Sequence, residues 1–305
     1  MIRNSGYVDL QCNGGYGIDL GVEPERVWEL ATRLPSHGVT AWCPTLPTAP
    51  SDRYERLMSA VSAGPPNDGI ERAHVIGIHF EGPMLNPARR GAHSRHLLRE
   101  PSLDIIANWS SDVVSIVTLA PELEGATEVA RELRRRGIVV SAGHSEATSA
   151  HASEVDSVTH LFNAMSGFGH RDEGMVGAAL DGSFGVVGLI ADEIHVAAHA
   201  VRLAWRTLGP DRIFLVTDAV SALGLRAPND PPRLSDGTLA GSSITMDQAV
   251  RNLVAMTGCS VEAAVNAAST TPASLVDWQP DPDDLLLLDA GLHVIECRVG
   301  ATARR

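Results

Sequence analysis

The chain has 305 residues, 44% of them hydrophobic and 20% charged, with 37 acidic against 24 basic side chains and a formal net charge of −13. That composition is ordinary for a globular domain, and the acidic balance argues against nucleic acid or an anionic membrane as a partner; an anionic substrate needs a local basic pocket. The N-terminus, MIRNSGYVDLQ, lacks an apolar signal segment, and no apolar run reaches the length of a membrane span. Cys12, Cys43, Cys259 and Cys297 are too scattered for a disulfide framework or a zinc knuckle. A cytoplasmic protein with reduced thiols is the expectation.

Strand-like apolar runs alternate with helical patterns. The run 7–12 leads through a glycine-rich turn (Asn13, Gly14, Gly15, Gly17) to a predicted helix over 23–37. Strand 39–45 precedes a helix over 52–63. Strand 75–81 precedes a long loop, GPMLNPARRGAHSRH, and a helix near 103–109. Strand 113–119 precedes a helix over 124–136. The runs 138–142 and 155–158 are bounded by Gly or Ser, which favours buried strands, and each is followed by a histidine, His144 and His160. Strand 185–192 precedes a helix over 197–208, and strand 213–217 runs straight into Asp218.

Eight β-then-α units fit a (β/α)8 TIM-type barrel better than an open doubly wound sheet. Such a barrel carries its active site at the C-terminal strand ends. The polar residues there are Gln11 and Asn13, Glu81, His144, His160, Asp192 with His195, and Asp218. Polar groups are costly to bury without partners, so their recurrence at one end points to a site. Beyond the barrel, GTLAGSSITM leads into a predicted helix over 247–256, followed by one over 261–268 and a short one after Pro272. The segment DWQPDPDD marks the boundary between a barrel over 1–280 and a tail over 281–305 that reads as two strands.

Glu81, His144 and His160 offer a carboxylate and two imidazoles, a set suited to a divalent metal with one position open to water. Such an ion acidifies water and polarises a carbonyl. Asp218 is then free to act as general base and later as general acid; its alternative role is a helix N-cap. Either histidine alone could be a hydrogen-bonded structural residue. Strand alternation turns Cys12 towards the packed side.

The stretches HFEGPMLNPARRGAH, SAGHSEAT, THLFNAM, LVTDAV and GTLAGSSITM resemble the motifs of N-acetylglucosamine-6-phosphate deacetylases, in the amidohydrolase superfamily, and occur in that family's order between Gly6 and about Ala273. The resemblance implies Glu81, His144 and His160 as metal ligands and Asp218 as the catalytic acid/base. It implies that His93 helps polarise the amide carbonyl, with Ala92 beside it at the substrate. Asn163, Ala164, Asp192, Glu193, Ile194, His195, Leu239, Ala240 and Gly241 match sugar contacts. Arg171 matches an arginine that meets the substrate phosphate, often from a neighbouring subunit, within a homodimer. Read on their own residues, Arg171 could be a solvated surface charge, His93 a loop histidine bonded to backbone, and Asn163 a helix cap.

Two departures from the family pattern matter. Where many amidohydrolases carry H-x-H for a second metal, this chain has Gln11 and Asn13. Neutral amides are poor ligands, so one divalent ion per chain is expected, zinc first, with iron, cobalt or manganese as alternatives. The chain also starts close to the first barrel strand, which implies a reduced β-sandwich remnant: a ribbon of at best two strands, packed through Leu285, Leu287, Val294 and Ile295 or paired with a neighbouring chain. The implied reaction hydrolyses N-acetylglucosamine 6-phosphate to glucosamine 6-phosphate and acetate. The rivals are a deacetylase of another N-acetylated sugar or amine, and a binding-only barrel that senses sugar phosphates; the latter has no need of Asp218.

Overall fold

The computed structural model describes residues 1–227, 230 and 232–300. Eight parallel strands (Tyr7–Cys12, Val39–Pro47, Ile78–Glu81, Val114–Leu119, Val139–Ala142, Ser157–Val158, Val186–Leu189 and Ile213–Leu215) pair in chain order. The last meets the first through Asp218 N–H to Gln11 O at 2.8 Å and Asn13 N–H to Ala219 O at 2.7 Å. The result is a nearly closed barrel, as the alternation of elements predicts. Tyr7–Cys12 and Val114–Leu119 are buried along their whole length, because parallel strands are covered on both faces. One core lies between strands and helices; a second, inside the barrel, contains Val8, Leu10, Ile116, Phe214 and Trp278. Cys12 belongs to the outer core and is fully buried, as its alternation predicts. Among the described residues, no helix is long and apolar enough to cross a membrane.

Several elements differ from expectation. The strand expected over 75–81 is interrupted: His74–Val75 pairs separately, and Gly77 adopts φ 111 before Ile78–Glu81 begins. The helix expected over 23–37 breaks into Pro24–Arg26, Val27–Ala31 and Leu34–His37, since Pro35 supplies no N–H and cannot extend a helix from within. Residues 103–109 form turns rather than a helix, closed by Ile105 N–H to Ser102 O and Ile106 N–H to Leu103 O; so short a segment gains too few bonds to offset nucleation. The helix expected after Pro272 starts at Thr270 with the proline in its first turns. Gly174–Leu180 is helical although its small residues carry no clear periodicity.

The tail holds the clearest correction. Leu285–Leu288 pairs antiparallel with Val294–Arg298 and, on its other side, with Ile2–Asn4. The sheet therefore has three strands, not two, and the N-terminal residues complete it. Leu286 and Leu288 are fully buried, whereas Ile295 is 55% exposed and Leu287 only half-buried. Of the expected inward set, Leu285 and Val294 pack and the others yield to the alternate positions, because a strand turns successive side chains to opposite faces. The boundary segment is not a loose linker: Trp278 is buried in the inner core against His74, and Asp284 pairs with His74 at 3.0 Å. Residues 301–305 of the expected tail lie outside the described residues.

Candidate active site

Three of the residues that carry the chemistry share an unusual backbone. His144, His160 and Asp218 sit just past their strands with φ of 50, 34 and 48. Non-glycine residues rarely enter this left-handed region, and where they do the surrounding structure holds them there. The turn lifts each side chain over the strand end and into the barrel mouth.

There Glu81 Oε1 lies 2.9 Å from His160 Nε2 and 3.2 Å from His144 Nε2, and the two imidazole nitrogens are 3.2 Å apart. Donor atoms about 2.1 Å from a tetrahedral ion are separated by roughly 3.4 Å, so these three atoms converge nearly as ligands do. His144 Nδ1 faces the Arg89 carbonyl at 2.9 Å. A carbonyl only accepts, so Nδ1 carries the proton and the Nε2 lone pair is left for a metal. Burial alone would raise the Glu81 carboxyl, but the neighbouring His144 and His160 rings outweigh it and hold it well below the usual range. The residues present fit a divalent ion.

His93 stands beside this set, with Nε2 3.7 Å from Glu81 Oε2. The Thr48 backbone N–H donates to His93 Nδ1 at 3.2 Å, so Nε2 carries the proton and faces the site. Burial, reinforced by His144, pushes His93 down to about 3, and the ring is a neutral donor. Asp218 closes the floor. Burial, and then the Glu81 carboxylate, push it up to about 6, against the lowering by His160, His195 and Asn13.

Above the floor opens a cavity of about 810 Å³. Ala92, Asn163, Ala164, His195, Leu239, Ala240 and Gly241 all line it. Gly91, at φ 53, leaves room that a Cβ would take from His144 Cε1, only 3.1 Å away. Asp192, Glu193, Ile194 and Arg171 do not line the cavity. Asp192 acts from behind: it accepts the backbone N–H groups of Ile194 and His195 and the His195 ring at 2.6 Å. Arg171 is exposed.

No protein-family model matches the chain. It is 41% identical to N-acetylglucosamine-6-phosphate deacetylase of Bos taurus, with 95% of this chain and 80% of that protein covered. The chain belongs to the N-acetylglucosamine-6-phosphate deacetylase family. N-acetylgalactosamine-6-phosphate deacetylase of Escherichia coli O157:H7 is 33% identical, covering 94% of this chain and 84% of the relative. A solved structure, an N-acetyl-D-glucosamine-6-phosphate deacetylase mutant from Mycobacterium smegmatis in complex with N-acetyl-D-glucosamine-6-phosphate, superposes with a TM-score of 0.86 at 29% identity, covering 97% of this chain and 85% of the other.

In this member of the deacetylase family the amides at the end of strand one hold carboxylates. Gln11 Nε2 donates to Glu81 Oε1 at 3.2 Å and to Asp218 Oδ1 at 3.1 Å, and Asn13 Nδ2 donates to Asp218 Oδ1 at 2.7 Å. An N–H group of Gln11 thus bridges the two carboxylates. Reading the sequence for strand ends misses Thr48, Arg89 and Arg233, which also line the deacetylase cavity. Thr48 follows strand two, Arg89 ends a single 3-10 turn, Pro87–Arg89, and Arg233 lies in a loop, where spacing carries no signal. It also misses Asp9, buried one layer down, which accepts the Thr217 N–H at 3.2 Å and the Thr217 hydroxyl at 2.5 Å.

Burial, though opposed by the Thr217 and Gln11 hydrogen bonds, pushes Asp9 up to about 7. The folded state therefore holds a proton that the unfolded chain, with a carboxyl near 3.9, releases. The stabilisation is complete below pH about 4 and is lost as the pH rises through about 7. Asp9→Asn mimics the neutral acid, so denaturant unfolding at pH 5 and pH 8 should show a smaller loss of stability for the variant than for wild type. Equal losses would mean that Asp9 does not titrate in this window.

Proposed function

We propose that this protein is a metal-dependent amidohydrolase that converts N-acetylglucosamine 6-phosphate and water to glucosamine 6-phosphate and acetate. The observation that carries it is the convergence of Glu81, His144 and His160 beside a neutral His93 and an Asp218 raised to about 6 on one cavity floor. Glu81 Oε1, His144 Nε2 and His160 Nε2 would hold one divalent ion, for which zinc suits the two imidazoles and carboxylate, with iron, cobalt or manganese as alternatives. Such an ion acidifies water and polarises the acetyl carbonyl.

The chain's own groups supply the rest. His93 donates its Nε2 proton in a hydrogen bond to the amide carbonyl oxygen, where negative charge builds as water adds. Asp218, ionised, takes the proton from the attacking water. It then delivers that proton to the departing nitrogen, so the C–N bond breaks to give an amine and acetate. His195, fixed by Asp192, and Asn163 and Ala164 line the space a sugar would occupy. Cys12, Cys259 and Cys297 are free thiols, as in a reducing compartment, and we place the reaction in the cytoplasm.

Acetate release from N-acetylglucosamine and N-acetylgalactosamine, each with and without a 6-phosphate, tests the assignment. N-acetylglucosamine 6-phosphate should turn over with the highest kcat/KM; no release from any of the four would overturn the enzyme reading.

Arg171 is exposed and off the cavity of its own chain, so we read it as reaching the phosphate bound by a second copy in a homodimer. A guanidinium pairs with phosphate in bidentate fashion. Arg171→Ala should raise KM for the phosphorylated sugar far more than it lowers turnover at saturation, and should narrow the preference over the unphosphorylated sugar. A variant that discriminates as well as wild type would show that the phosphate is read elsewhere.

A further inference from the structure

We propose that a buried hydrogen-bond chain, Ser141–Thr159–Thr118–His79, sets the spacing of the strands that carry the metal-binding residues and so preorganises the site for a cation. This rests on the reading of Glu81, His144 and His160 as the metal site. The chain lies inside the barrel, one layer below that site, and all four side chains are at most 3% exposed. His79 is two residues before Glu81 on the same strand. Ser141 is on the strand that leads to His144, and Thr159 immediately precedes His160. Thr118 stands between them in the sheet, paired with Glu81 on one side and Ser141 on the other.

The direction of every bond is fixed by its ends. His79 Nδ1 meets the Leu10 carbonyl at 2.8 Å, and a carbonyl can only accept, so the proton is on Nδ1. His79 Nε2 then accepts from the Thr118 hydroxyl at 2.7 Å. With its proton so used, Thr118 accepts from Thr159 at 2.7 Å, and Thr159 accepts from Ser141 at 2.6 Å. Each hydroxyl donates once, and none can reverse without leaving a buried group unpaired. The chain thus ties strand one, through Leu10, to strands three, four, five and six.

The packing around it is equally specific. A Cβ on Gly143, the residue before His144, would lie 2.8 Å from Thr118 Cγ2 and 2.9 Å from Thr159 Cβ. The ligand-bearing turn therefore rests directly on two members of the chain. A network whose members are all satisfied is stiff. Side chains that support ligands from behind typically change metal affinity by 10–100-fold when removed.

These are positioning residues, since none of them touches the reacting atoms. The test is the affinity of the metal-free protein for Zn²⁺, measured by competition with a chromophoric chelator. Thr159→Val keeps the shape and removes the hydroxyl, and should weaken Zn²⁺ binding about tenfold or more. Thr159→Ser restores the hydroxyl and should bind close to wild type. Thr118→Val and Thr118→Ser form a second pair with the same expected contrast, decisive if Thr159→Val does not fold. Folded valine variants that melt lower but bind Zn²⁺ as tightly as wild type would overturn the proposal and leave the chain a merely structural feature. A wild-type protein that binds no Zn²⁺ would instead overturn the metal site itself, a distinguishable result.

Discussion

Asp218→Asn should leave folding and metal content near wild type while lowering kcat by roughly 10²–10⁴-fold, the scale for removing a positioned acid/base group. The substitution is nearly isosteric, and the asparagine carbonyl can still accept from Asn13 Nδ2 and Gln11 Nε2, which reach Asp218 Oδ1 at 2.7 and 3.1 Å. The backbone is held independently: Asp218 N–H donates to Gln11 O, and Asp218 O accepts from Ser242 N–H. What is lost is a proton acceptor that burial and Glu81 place at about 6. Because the working base is the ionised form, wild-type kcat/KM should fall as the pH drops through that value, and the asparagine variant should lack this limb. Acetate release at saturating substrate, with metal measured in the same samples, is the readout. A variant retaining more than half of the wild-type kcat would remove Asp218 from the mechanism.

The parts of the site legible in the sequence were those set by strand order. Glu81, His144, His160 and Asp218 each follow an apolar run, and a parallel barrel gathers such positions at one end whatever the loops do. Gln11 and Asn13 were legible as amides in place of imidazoles, though not as a bridge between two carboxylates, because that depends on how strand one sits against strands three and eight. The left-handed backbone of His144, His160 and Asp218 leaves no trace in residue type, since it is imposed by tertiary contacts rather than chosen by glycine. In the tail Leu285 and Val294 pack as expected, but DDLLLLD gives no alternation to show that Leu286 and Leu288, rather than Leu287, face inwards. The third strand, Ile2–Asn4, was missed because three residues carry no period at all. Asp192 was named as a sugar contact, whereas its carboxylate turns away from the cavity to hold His195. A motif gives the neighbourhood of a residue; the direction of its side chain comes from the hydrogen bonds it can complete.

His160→Ala should abolish both metal binding and activity. His160 Nε2 supplies the shortest contact of the set, 2.9 Å to Glu81 Oε1, and its removal leaves one imidazole and one carboxylate. Two protein ligands do not make a closed site for an ion that takes three and keeps a fourth position for water. Glu81 would also lose one of the two neighbouring rings that offset its burial, which favours protonation and weakens it further as a ligand. Elemental analysis of protein purified without added metal should find about one ion per chain in wild type and less than roughly a tenth of that in the variant. Acetate release should fall to background in parallel. Cys12→Ser, buried in the outer core and away from the cavity floor, is the matched control and should lose little of either. A His160→Ala protein with near-stoichiometric metal would show that the ion is held elsewhere. A wild-type content near two would show that the Gln11 amide does not exclude a second ion from between Glu81 and Asp218.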